Sequence, residues 1–113
     1  MRRSELALDG FALGGARPTA QALRAIDREI ETGDVRSARR VLIEGHADSV
    51  GPADYNVALS RLRAEAVGEA LADALGAEAP PIEILALGET QLAVATGDGV
   101  AEPRNRRVVI RFN

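Results

Sequence analysis

Between Gly45 and Arg63 the chain gathers the side chains best suited to chemistry. Asp48 lies in a short loop bounded by Gly45 and Gly51, and Asn56, Ser60 and Arg63 follow it at intervals of four and three. Residues so spaced share one face of a helix over two turns. Asp48 can accept hydrogen bonds from an ammonium group, while Arg63 presents a planar fork to a carboxylate, aided by the free amides at a helix start. Such a combination suits a zwitterion, for example the backbone end of an amino acid. Two blander readings stay open on spacing alone. A polar helix stripe is also what a solvated face looks like, and Asp48 and Arg63 could pair with each other, an exposed bridge contributing only ~0–1 kcal/mol.

Other chemistries find less material. His46 is the only histidine, and one imidazole beside one carboxylate falls short of the three protein ligands that zinc needs. No metal and no cofactor is therefore expected, and His46 is expected to order its loop through hydrogen bonds. Ser60 sits in mid-helix without a base, cysteine and lysine are absent, and no glycine-rich phosphate loop follows a strand. Asp48 and Asp54 could be imagined as an acid/base pair against a glycan, but nothing distinguishes one as the acid. The expectation is a domain that is not an enzyme.

Composition narrows the partners. The 113 residues carry 14 basic and 17 acidic side chains, a net charge of −3, with the basic residues scattered among acids. Nucleic acid, which calls for a basic patch or stripe, is not expected as a partner. Phe11, Tyr55 and Phe112 are the aromatic residues, too few for a base-stacking or sugar-stacking platform. The chain holds no cysteine, which removes disulfides without fixing the compartment. Met1-Arg2-Arg3 is basic enough to begin a signal peptide, but Glu5, Asp9 and Gly10 interrupt the apolar run that must follow. Nothing approaches the ~20 apolar residues of a membrane span. No direct membrane insertion is expected, and a domain working outside the cytoplasm would have its signal or anchor outside these residues.

The elements that must position the loop and stripe can be read from periodicity. Glu5 to Leu8, extended at most to Leu13, suggests a first strand, ended by Gly14-Gly15. Pro18 suits a first helical turn, and Ala22, Leu23, Ile26 and Ile30 recur at helical spacing until Gly33. Arg40 to Glu44 reads as a central strand closed by Gly45. From about Asp54 to Leu75 the pattern is helical, with Leu59, Leu62, Ala66, Ala70 and Ala74 along one edge, Val67, Leu71 and Leu75 beside them, and Gly76 as the stop. That edge is expected to face the core, away from the stripe of Asn56, Ser60 and Arg63. Pro80-Pro81 leads into a strand over Ile82 to Leu87, and Arg107 to Phe112 forms the last. The order predicts one α+β domain over residues 1–113: a single mixed sheet of about four strands with helices on one face.

The segments Gly45-His46-Ala47-Asp48, Tyr55-Asn56 and Leu59-Ser60-Arg61-Leu62-Arg63-Ala64, with Asn105-Arg106-Arg107-Val108 near the end, resemble the signature of the OmpA-like, peptidoglycan-binding domain family. The likeness runs from about Phe11 to Phe112. It implies a β-α-β-α-β-β fold and a module that binds peptidoglycan without covalent chemistry, tethering a larger envelope protein to the wall from the periplasm. In that family the positions matching Asp48 and Arg63 bind the meso-diaminopimelate residue of the stem peptide. Carried over, Asp48 takes the ammonium, Arg63 the carboxylate, and Asn56 adds a hydrogen bond. Tyr55 and Leu59 would anchor the helix in the core.

The same resemblance puts Ala47 and Arg106 among the ligand-binding positions. Ala47 stands where threonine is commonest, which removes a hydroxyl contact. Arg106 or Arg107 would line the groove, the alternative being a charged strand edge that discourages pairing. Leu87 and Leu92 replace a glycine and a proline of the family's G-x-G-E-x-x-P turn, putting that loop's shape in question. An interaction scaffold with a vestigial ligand site, dimerising as a homodimer or docking another protein, is the other reading.

Overall fold

The computed structural model describes residues 4–113. Met1-Arg2-Arg3, read above against a signal peptide, lies outside them. The strands are β1 (Ser4–Leu8), β2 (Val41–Gly45), β3 (Ile82–Ala86) and β4 (Val108–Phe112), and the helices are α1 (Ala20–Thr32) and α2 (Ala53–Leu75). They form one sheet in the order β1-β4-β2-β3. β4 runs antiparallel to both β1 and β2, while β2 and β3 are parallel, the relation expected of two strands joined by a helical crossover. The α+β, mixed four-strand sheet read from the sequence is the observed fold.

Side-chain alternation gives the sheet two unlike faces. Leu8, Val41, Ile43, Val108, Ile110 and Phe112 point to one side and join Ala22, Ile26 and Ile30 of α1 and Ala64, Val67 and Leu71 of α2 in a single aliphatic core. On the other side Arg111 lies opposite both Glu5 and Leu42, and its guanidinium bonds to Glu44 at 3.0 Å and to Glu5.

Several boundaries shift for physical reasons. Pro18 precedes the helix instead of opening it: Thr19 caps α1, its hydroxyl accepting from the Ala22 amide at 3.0 Å. β1 stops at Leu8 because the chain turns at Gly10, where φ is +82°, and Phe11 is then held by its amide to the Arg106 carbonyl. The larger correction concerns α2. Its buried positions are Asn56, Leu59, Ser60, Arg63, Ala64, Val67, Gly68, Leu71 and Leu75. Leu62 is 55% exposed, and so is much of Tyr55, so neither anchors the core. Leu59 does. The helix is rotated so that the polar stripe faces inward, which is tolerable because every buried polar group on it finds partners in the neighbouring loops.

Candidate functional site

The site is built where β2 meets the first turns of α2. Gly45 permits the approach: a Cβ there would lie 1.8 Å from the Ser60 carbonyl oxygen. Beyond it the chain stays extended, the His46 amide donating to the Arg107 carbonyl at 2.9 Å and the Ala47 amide to the Gly88 carbonyl at 2.8 Å. Asp48 follows, 3% exposed. Its Oδ2 accepts from Arg106 Nη1 at 2.8 Å and from the Glu102 amide at 3.2 Å, and its Oδ1 from the Val50 amide at 3.4 Å. Ser49 then ties down the segment 96–100. Its hydroxyl donates to the Gly97 carbonyl at 2.7 Å and accepts from the Val100 amide, while its own carbonyl accepts from the Gly99 amide.

Arg63 is fully buried. Its Nε donates to the Gly15 carbonyl at 2.7 Å, Nη1 to the His46 carbonyl at 3.1 Å and Nη2 to the Ala12 carbonyl at 3.0 Å. The guanidinium also lies 5.5 Å from the Phe11 ring centroid, within cation–π range. Burial pulls its pKa down to about 10, and the Asp48 charge opposes that shift. Arg63 is thus cationic at neutral pH and close enough to Asp48 to feel its field, but the direct ion pair of Asp48 is with Arg106. The self-paired bridge between Asp48 and Arg63 is not what forms. A guanidinium has five N–H donors. Three of them here fix carbonyls of the loops after β1 and β2.

Asn56 and Ser60 complete the inward stripe. Asn56 Nδ2 donates to the Val50 carbonyl and to Glu89 Oε1, both at 3.0 Å. Ser60 Oγ donates to the Val57 carbonyl at 2.8 Å and accepts from the Gly88 amide at 2.9 Å, so its hydroxyl serves the turn after β3. In that turn Gly88 supplies a positive φ of 56° and Thr90 bonds back to the Leu87 carbonyl.

A cleft of about 310 Å³ opens here, lined by Leu13, Asp48, Val50, Tyr55, Asn56 and Leu59 among others. Asp48 and Asn56 are its polar members, and exposed Leu13 and Tyr55 form an apolar lip. Of the residues read from the sequence, Asp48, Asn56, Arg63, Ala47 and Arg106 converge on this corner. Ala47 is 1% exposed. Arg106 also donates through Nε to the Phe11 carbonyl at 2.6 Å. Arg107 goes elsewhere, to the Gln91 carbonyl at 3.1 Å. Sequence reasoning missed Ser49, Glu89 and Asn105. The Asn105 amide bonds twice to the Val94 backbone, at 2.8 and 2.9 Å, pinning the long connection before β4. Only the motif N-R-R-V hinted at it.

His46 departs from expectation. Its backbone orders the loop, but the ring is 1% exposed and neither nitrogen has a partner in bonding geometry. Burial, followed by the Arg107 and Arg111 charges, pushes its pKa down to about 4, against a lesser pull from the Gln91 carbonyl. Among the described residues no group of three or more acidic or histidine side chains could hold a metal ion, and no helix is long and apolar enough to cross a membrane.

An open mixed sheet of order β1-β4-β2-β3 with both helices on one face is the architecture of an OmpA-like domain, and at its β2–α2 corner a carboxylate is set against buried Arg63 and half-buried Arg106. The model of the OmpA family matches residues 11–106, and the chain belongs to that family. It is 33% identical over 94 residues to the peptidoglycan-associated lipoprotein of Haemophilus influenzae, covering 83% of this chain and 61% of that one. To the peptidoglycan-associated lipoprotein of Pseudomonas aeruginosa it is 37% identical over 93 residues, covering 80% and 53%. The chain therefore spans little more than half the length of these relatives. The crystal structure of the peptidoglycan-associated lipoprotein from Burkholderia pseudomallei superposes with a TM-score of 0.78 at 25% identity, covering 95% of this chain and 89% of that one.

Proposed function

We propose that this chain is a peptidoglycan-binding module that takes the diaminopimelate residue of the stem peptide and so tethers a larger, periplasm-facing envelope protein to the cell wall. The observation that carries this reading is the buried Asp48 carboxylate at the cleft, with Arg106 and Arg63 behind it. Relatives named for their association with peptidoglycan support it. Asp48 Oδ1, engaged by one long bond from Val50, has capacity for a ligand ammonium. The carboxylate of the same ligand would be drawn to the remaining N–H groups of Arg63 and to Arg106. Ala47 would contribute through its backbone, and the apolar lip of Leu13 and Tyr55 would lie against the ligand's aliphatic chain.

The module works by binding alone, with Ser60 structurally engaged and no base beside it. Modest affinity suffices, because copies facing a repeating polymer gain from effective concentration. Co-sedimentation with diaminopimelate-type sacculi is the test. The parent should pellet, and Asp48→Ala, with folding checked by circular dichroism, should bind about thirtyfold more weakly or worse, as for loss of one partner of a desolvated charge pair. Equal binding by parent and variant would refute the site. Ala47 and Leu92, together with the internal pairing of Asp48 with Arg106, stand on the side of a docking scaffold, and a folded parent that stays in the supernatant would favour that reading.

A further inference from the structure

Asn56 can meet a ligand in only one way, and the residue that decides this lies outside the cleft lining. A primary amide has two N–H donors and one oxygen acceptor. Both Asn56 donors are engaged, one by the Val50 carbonyl and the other by Glu89 Oε1, each at 3.0 Å. Neither partner can donate in return, since one is a carbonyl and the other a carboxylate, so the amide cannot flip without setting oxygen against oxygen. What Asn56 presents to the cleft it lines is then its oxygen. Asp48 Oδ1 is the second acceptor.

We propose that Glu89 is a positioning residue that locks the Asn56 amide oxygen toward the cleft and thereby makes the site selective for a free ammonium. The inference rests on the ligand reading proposed above. The Val50 carbonyl alone would hold the amide by one bond in place of two and leave its second hydrogen without a partner. Glu89 reaches it from the turn after β3, whose backbone is held independently by the Ser60–Gly88 and Thr90–Leu87 bonds. Removing the Glu89 carboxylate should therefore alter the orientation of Asn56 without dismantling the turn. An acceptor pair favours an amine over its acetylated form because an ammonium offers three donors, whereas an acetamide offers one and adds bulk.

The test compares binding of a diaminopimelate-containing muropeptide with binding of the same muropeptide acetylated on its free side-chain amine. The parent should prefer the free amine by about tenfold or more, the scale of one hydrogen bond to a charged group. Glu89→Ala should collapse that preference towards parity with its unfolding midpoint near the parent's. Glu89→Gln, whose oxygen can still accept from Asn56, should keep most of it. The Asn56 side-chain amide resonances should move in Glu89→Ala whether or not ligand is present. A parent that binds while Glu89→Ala retains the full preference, or unmoved Asn56 resonances, would overturn the positioning role alone. A folded parent that binds neither muropeptide would overturn it together with the ligand reading.

Discussion

The two halves of α2 bury themselves by opposite means. From Val67 onward the inward positions are Val67, Gly68, Leu71 and Leu75, and the helix lies on the sheet by aliphatic contact, so close at Gly68 that a Cβ there would lie 3.3 Å from Ile43 and 3.4 Å from Ile84. Over the first three turns Leu59 is joined inside by Asn56, Ser60 and Arg63, and these three make contact through hydrogen bonds to the carbonyls of Ala12, Gly15, His46 and Val50 and from the Gly88 amide. The apolar half stabilises the fold without specifying any loop. The polar half fixes the loop after β1, the loop after β2 and the turn after β3 in one arrangement, and the cleft is what they enclose.

The comparison can be broken by exchanging its halves' vulnerabilities. Arg63→Ala should have the largest effect, ~3–5 kcal/mol, the usual cost of removing one member of a buried charged network. It should also abolish wall binding, because three carbonyls lose their donor at once. Arg63→Lys should recover little, since an ammonium cannot reproduce a three-way planar fork. Leu71→Ala should cost ~2–5 kcal/mol through the cavity it leaves, yet bind as the parent does below its unfolding transition. Denaturant unfolding and sacculus binding measured on the same variants separate the two. Equal loss of binding in folded Leu71→Ala would show that the halves are not functionally distinct.

How much of this could be read from the sequence follows the same division. The strands, α1 and the extent of α2 were legible because aliphatic periodicity reports burial directly. So was the corner itself, through the family likeness of Gly45 to Arg63 and Asn105 to Val108. The orientation of α2 was not. Periodicity assigns Leu62 and Ala66 to the core and the Asn56–Ser60–Arg63 stripe to a more open face, and only the loop carbonyls, remote in sequence, reverse that. The partner of Asp48 was equally hidden. Nothing in spacing chooses Arg106, 58 positions away, over Arg63. Glu89 acts through one bond accepted from the Asn56 amide and Asn105 through two to the Val94 backbone, contacts that leave no periodic trace.

A smaller effect sharpens the contrast from the other face of the sheet. His46 has a folded pKa of about 4 against an ordinary 6.5, so the unfolded chain takes up its proton first. Its contribution is complete above about pH 6.5 and is lost as pH falls toward about 4. Glu44, Arg107 and Arg111 face the ring. Unfolding free energies of the parent should therefore fall through this interval more steeply than those of His46→Gln. Parallel slopes would mean that the ring does not titrate against folding.

The most direct measurement is an NMR titration of the isotope-labelled chain with a diaminopimelate-containing muropeptide, followed residue by residue. Shift changes should gather at Ala12 to Gly15, Ala47 to Gly51, Asn56 to Arg63 and Asn105-Arg106, leaving Val67 to Leu75 unmoved. Changes centred on the second half of α2 or on the outer sheet face, or none at all at saturating ligand, would contradict a ligand site built by the polar half of the helix.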